Sequence, residues 1–389
     1  MAVHSSSRAA NRVLLVLGLA LLAALLTLDL ASVAPNRILP GEGVSLWAWL
    51  GPWSASVWAF PLLVMAFAWR GSARALVLAR VVVVAALALL PWVLAAFAAS
   101  RVPDASSQAR VTLGAGFWVL LFLLLMCWVE LHARLRHGLW LVLLPLLSLG
   151  LALTQGHLES LALIREYASR SDAFHAALRY HLLLVSAAVG LSLLLAFALA
   201  LAMRRFPSLR RGGFALLSLI QTIPSLALFG LLLAPLAWLA ARYAWLGELG
   251  VQGIGWAPAL IALVGYSLLP MTRNSVVALD GVDPRVVEAA RGMGMSPAQV
   301  FWRVRLPLAA PVILEGIRIT TVQAVGLAAV AALIGAGGLG TFIFQGLGQA
   351  AMDLVLLGAL PILALAVAAD SLLSALARLT RRQPGREAR

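Results

Sequence analysis

The chain has 389 residues, of which 62% are hydrophobic and 11% charged, with a formal net charge of +14. That balance excludes a soluble globular domain and calls for many bilayer spans. All 29 basic residues are arginine, so a phosphate-binding loop that needs a lysine cannot be built here, and the single cysteine, Cys127, excludes an internal disulfide framework.

A hydrocarbon core of about 30 Å takes about 20 apolar helical residues. Ten segments approach that length: 13–33, 53–69, 81–98, 111–129, 139–154, 182–203, 214–239, 258–277, 309–334 and 354–376. The expected fold is therefore all-α and polytopic. Most arginines fall in loops on the N-terminal side of the bilayer. They include Arg70, Arg74 and Arg80, the Arg204–Arg211 group, and Arg273, Arg285, Arg291, Arg303 and Arg305. Positive charge stays inside, so both termini and residues 283–307 are expected in the cytoplasm. The arginines lie between apolar runs and form no aromatic-interleaved basic face, which argues against nucleic acid. Arg8, Arg12 and the apolar run after them are read as a retained first span rather than a cleaved signal. Trp47, Trp49, Trp53, Trp69, Trp140, Trp238 and Trp245 sit near span ends, as an interfacial belt requires.

The organisation expected is an accessory five-span region at 1–154, an extracytoplasmic amphipathic connector at 155–181, a five-span core at 182–379 and a tail at 380–389. The connector reads either as an interfacial helix or as a docking surface. It carries His157, Glu159, Glu166, His175 and His181, which form no zinc spacing, and the histidines read as satisfied surface groups. Further along, Gln221-Thr222-Ile223-Pro224-Ser225 places polar groups and a proline inside an apolar run. A kinked helix with local hydrogen bonds accounts for it; alternatively Thr222, Pro224 and Ser225 line a path. Tyr266 and Asn274 are further polar candidates, and the Tyr266 ring is a possible face for a cation.

Residues 283–307 are the most informative. Asp283 can cap a short helix with Pro284 at its first position. Gly292 and Gly294 allow a turn, and Ser296-Pro297-Ala298-Gln299 restarts a helix with a capping-box pattern. Pro307 then ends the polar run. Glu315 and Arg318, at i and i+3, are expected to pair. Asp370 has no arginine on its own helix face and either faces the interior or pairs with another span. Gly335-Ala336-Gly337-Gly338-Leu339-Gly340 fits the dinucleotide fingerprint by letter, but the strand and the acidic residue it needs are missing. A broken span end suits Gly335, Gly337, Gly338 and Gly340 better, either as a plain outer turn or as part of an outer gate.

The spacing Glu288-Ala289-Ala290, Gly294, Val304, Leu306-Pro307 resembles the EAA loop of ABC importer permeases, with Val304 where the pattern has Ile. The segments at 221–227, 269–274, 281–284 and 334–340 resemble the osmoprotectant (glycine betaine, choline) permeases, and the added N-terminal half is similar to the longer, YehY-type members. The resemblance covers about the second half of the chain. It implies a MetI-like five-helix core and a chain that does no covalent chemistry. It implies Glu288, Ala289, Ala290, Gly294, Leu306 and Pro307 as the contact with separate ATPase subunits, which would hold ATP and Mg. It also implies an extracytoplasmic solute-binding protein and a second permease copy or a related permease. The rival reading is an ion-coupled secondary carrier, which ten spans as five plus five would suit; the motifs, however, occupy only one half.

Overall fold

Apolar runs bounded by arginine, serine and glycine dictate helices throughout. The computed structural model describes residues 10–37, 39, 41–102, 108–135 and 138–381. Arg8 and the predicted tail from residue 382 onward lie outside that range. The chain divides into two compact units, Met1–Ser169 and Arg170–Arg389. Among the described residues, eight helices are long and apolar enough to cross a membrane, and two further apolar helices, Arg12–Thr27 and Trp140–Thr154, are shorter. Each of the ten expected segments carries helix, and the differences are local.

In unit 1, α1 (Arg12–Thr27) starts where Asn11 Oδ1 accepts the Leu14 amide at 3.1 Å. The expected first span to residue 33 ends early, because Asp29–Ala34 leaves the helix as strand β1. β2 (Glu42–Ser45) follows, then α2 (Leu46–Leu50), α3 (Ser54–Arg70) and α4 (Ala73–Arg101). β3 (Arg110–Leu113) precedes α5 (Ala115–Leu135), α6 (Leu143–Thr154) and α7 (Ala162–Ser169). The strands make a three-stranded antiparallel sheet in the order β2-β1-β3, with Ala31 opposite both Val44 and Leu113. The fold is helical throughout its spans, as expected, and this small sheet is a local addition. Its residues read as the ends of apolar runs, and only pairing across distant sequence makes them strands. A Cβ on Gly114 would sit 2.5 Å from the Asp29 carbonyl oxygen, so only glycine lets β1 approach the start of α5.

The core of unit 1 gathers Leu14, Leu21, Val64, Val83, Phe97, Cys127 and Leu131. Two of its polar side chains are tied down. Glu166 on α7 is 4% exposed and accepts from Arg37 Nε and Arg110 Nη1, both at 2.9 Å. Trp49 is not a free belt residue: its Nε1 donates to Ser100 Oγ at 3.0 Å and its ring packs edge-on against Phe97. Trp47, Trp53, Trp69, Trp140, Trp238 and Trp245 are exposed, as a belt would have them.

Unit 2 opens with α8 (Ser171–Arg205) and continues through α9 (Pro207–Thr222), α10 (Ser225–Arg242), α11 (Ala244–Glu248) and α12 (Trp256–Asp280). Then come α13 (Pro284–Gly292), α14 (Pro297–Val300), α15 (Leu306–Val330), α16 (Gly340–Gly348) and α17 (Met352–Arg381). Residues 171–181 are the first three turns of α8, continuous with the span. α12 is the central rod, buried along Ala257, Ala259, Ala262 and Leu263 and packed on α8 and α15. Gly316 makes its crossing with α15 possible, since a Cβ there would lie 2.7 Å from the Asn274 Cβ. The segment expected as one span at 214–239 is two helices, of which α10 alone qualifies as a span.

Candidate functional site

Three sites in unit 2 place the residues singled out above. The first is an elbow at one end of the bundle. Asp283 caps α13, its Oδ1 accepting the Arg285 amide at 2.9 Å. Gly294 turns the chain at φ +84°, a left-handed conformation that glycine reaches without strain. Ser296 and Gln299 then form the reciprocal capping box read from the sequence. One side of the elbow is anchored: Val287, Ala290 and Val300 are buried against Leu279, Val282 and Ala309, with Phe301, Val304 and Leu306 partly buried beside them. The other side, with Glu288, Ala289, Gly294 and Met293, is exposed.

The structure differs from the expectation at the far end of the elbow. Pro307 does not separate a short helix from a span. A π-helical turn, Phe301–Arg305, joins α14 to α15, so a single rod runs from Pro297 to Ile334. Pro307 sits in the first turn of α15, where its missing amide breaks little. Asp280, at the end of α12, receives Arg204 Nε at 2.8 Å and Arg210 Nη1 at 3.2 Å. Arg305 Nη1 reaches the Leu279 carbonyl at 3.3 Å. Asp280 was not singled out in the sequence; the signal was a lone carboxylate facing an arginine-rich end.

The second site is the break between α9 and α10. Ile223 is extended and Pro224 begins the turn into α10. Pro270 removes the amide that would bond the Tyr266 carbonyl, and Gln221 Nε2 donates to that carbonyl instead, at 3.1 Å. The Tyr266 hydroxyl donates to the Ile223 carbonyl at the break. Two proline defects on neighbouring helices therefore repair one another. Tyr266 is buried and acts as a strut, so its ring is not an open face for a cation. Asn274 Nδ2 donates to the Pro270 carbonyl at 2.9 Å, and Thr222 Oγ1 to that of Leu219 at 2.7 Å. Thr222 and Pro224 are exposed, Ser225 half-buried.

The third site is the glycine turn after α15. Gly335, Gly337 and Gly338 all have positive φ, and the turn leads into α16, a helix the sequence reading left as loop. Gly338, Leu339 and Gly340 are buried. A Cβ on Gly340 would meet the Ala329 carbonyl at 2.0 Å, and one on Gly338 would lie 3.2 Å from His181 Nδ1. His181, expected as a surface histidine, is 1% exposed and packs under this turn. The turn is thus a packed corner.

Charge inside the bundle completes the picture. Arg318 pairs with Glu315 on its own helix and, through Nη1, with Asp370 Oδ1 on α17 at 3.0 Å. Ser374 Oγ accepts from the same nitrogen at 3.1 Å. The expected Glu315–Arg318 pair is present, and of the two readings of Asp370 the one that pairs it with another span holds. Among the described residues no group of three His, Cys, Asp or Glu is placed to hold a metal.

An exposed elbow, anchored by its own small core, thus runs into a bundle of spans. Residues 189–382 match the family described as binding-protein-dependent transport system inner membrane component. Residues 10–164 match the N-terminal domain of the ABC transporter permease YehY. The osmoprotectant import permease protein OsmW of Salmonella typhimurium is 41% identical over 193 residues, 50% of this chain and 85% of its own. The choline transport system permease protein OpuBB of Bacillus subtilis is 36% identical over 194 residues, 50% of this chain and 82% of its own. A chain of the inward-facing MetNI methionine ABC transporter superposes with a TM-score of 0.48 at 20% identity, over 55% of this chain and 99% of that one. The chain belongs to the binding-protein-dependent inner-membrane permeases. It is a multi-pass transport subunit of an ABC importer rather than an enzyme, and the ion-coupled carrier reading is set aside.

Proposed function

We propose that this permease imports a compatible solute with a quaternary ammonium head, such as glycine betaine or choline. The names of its relatives support that class: osmoprotectant import in one, choline transport in another. A solute-binding protein delivers the solute at the outer face. Two permease chains, identical or related, sit on two ATPase subunits, which hold the ATP and Mg. The elbow at 283–307 docks on an ATPase in the cytoplasm, where the arginine distribution also puts both termini. Glu288, Ala289 and Gly294 present the contact. Ala290 anchors it from within, and Leu306 and Pro307 carry it into the span. The glycine corner and the α9–α10 break close the outer and middle parts of the path.

The observation that carries this reading is the unbroken rod from Pro297 to Ile334. A push on the exposed elbow is carried along the rod, and the π-helical turn at its base and Pro311 within it are places where it can bend. The test is reconstitution with the neighbouring ATPase and binding protein in liposomes. ATP-dependent uptake of labelled glycine betaine or choline, insensitive to collapse of ion gradients, is expected. An impermeant reagent that reaches a cysteine at Met293 only from the outside would overturn the orientation, and failure of the purified chain to bind the ATPase would overturn the coupling.

A further inference from the structure

The mid-span charge cluster has no role in the coupling just described. We propose that Glu315, Arg318 and Asp370 form a cation-selecting site on the transport path of unit 2, one that takes the trimethylammonium head of the solute. The proposal rests on the transport reading above and adds where in the membrane the solute is recognised.

The first argument is depth. Arg318 lies about 18 Å along α15 from Leu306, at 1.5 Å per residue. Asp370 stands well inside the 30-residue α17. Ionised groups this far into a bilayer do not face hydrocarbon; they face water or protein. The second is exposure. The unit does not cover the cluster: the side chains of Arg318, Glu315 and Asp370 are 27%, 34% and 48% exposed. They therefore look onto a space that only water, solute or another chain can fill.

The third argument is charge. Two carboxylates share one guanidinium, which leaves a formal charge of −1. Among the described residues, the second oxygen of each carboxylate receives no hydrogen bond. If a second copy packs across a two-fold axis, like charge meets like charge. A dry contact is then opposed, and a hydrated gap with a cation between the two clusters is favoured. The fourth is chemical fit. The rim is apolar, with Val312 and Ile319 on α15 and Leu363 and Val367 on α17 exposed around the carboxylates. A small hard cation needs six or more oxygen ligands, which this rim cannot supply. A trimethylammonium group carries its charge under methyl groups and suits negative charge with an apolar border. There is no aromatic cage, so the hold is electrostatic and weak enough for release, as a path requires.

The test uses the full complex with its ATPase in liposomes. The single native cysteine, Cys127, is buried, so Val367→Cys supplies one accessible thiol beside the cluster. It is reacted with the trimethylammonium-ethyl and the sulfonato-ethyl methanethiosulfonates. The cationic reagent is expected to react about ten-fold faster or more, since a charged cleft concentrates its counter-ion by that factor. Raising the salt should shrink the ratio. Asp370→Asn with Glu315→Gln should bring it near one and raise the uptake KM several-fold while ATP hydrolysis persists. If that double variant does not fold, the salt series in the Val367→Cys protein decides alone. A thiol that reacts with neither reagent during turnover overturns the proposal, as does a ratio indifferent to salt or to the carboxylates. Absent uptake with an intact ratio would instead sink the transport reading and leave the site standing.

Discussion

In unit 1 the carboxylate of Glu166 is 4% exposed and held by two arginines, and Glu130 is tied to Arg134 and Asn11. In unit 2 the carboxylate of Asp370 stays nearly half exposed at mid-span, and Asp280, with its two arginines, sits at the elbow's base. The helices differ in the same sense. Unit 1 ends one span in a three-stranded sheet and closes on itself. Unit 2 interrupts its helices at Ile223 and at Gly335, and carries a π-helical turn at Phe301–Arg305. A unit whose carboxylates are tied to arginines is built to be stable. One that leaves breaks and half-exposed charge is built to move and to meet partners.

Substitutions can break or sharpen that contrast. The largest effect is expected at Gly294, where a Cβ meets no atom but φ is +84°. Holding an L side chain there costs about 1–2 kcal/mol, which the elbow relieves by changing its angle. Gly294→Val should therefore reduce coupled uptake by about five- to thirty-fold on the usual scale of 1.4 kcal/mol per decade, with the amount of inserted protein unchanged. Vesicle uptake beside immunoblotting reads both. Glu166→Ala should do the opposite: it strands buried Arg110 and costs about 3–5 kcal/mol of stability, seen as a lower melting temperature in detergent, with coupled uptake per folded molecule retained. A comparable loss of coupling in both variants would erase the contrast between the units.

Smaller effects grade the corners of unit 2. Gly340→Ala drives a Cβ into the Ala329 carbonyl, and overpacking of this kind costs about 1–3 kcal/mol; thermal melting should record it. Tyr266→Phe removes one hydrogen bond at the α9–α10 break, worth about 1 kcal/mol. Adding Gln221→Ala should then cost less than the sum of the two single changes, because both residues brace the same break. Strict additivity would show that the two struts act independently.

Local features were legible in the residues. The capping box at Ser296 and Gln299 and the Asp283 cap act within four residues, so spacing suffices to find them. Glu315 and Arg318 meet because a helix brings i and i+3 together. The strand at Asp29–Ala34 was not legible. Six residues at the end of an apolar run read equally well as helix, and the partners that decide the matter lie at Glu42–Ser45 and Arg110–Leu113. α16 escaped for a related reason: its nine residues contain three glycines, and the small size of Gly340 and Gly346 serves packing against α15 and α17. The buried His181 lay in a stretch whose polarity suggested surface.

By itself the amino-acid sequence determined that this is a multi-span protein without a nucleotide engine of its own, and that a capped, glycine-hinged elbow interrupts its apolar runs. Those properties depend on composition and on interactions a few residues long. Tertiary structure alone decided that the elbow continues unbroken into its span, that Tyr266 and Gln221 repair two proline defects at once, and that Asp370 joins Arg318 from another helix. Each of these needs groups brought together from tens of residues apart, and only the packing of one helix on another sets that distance.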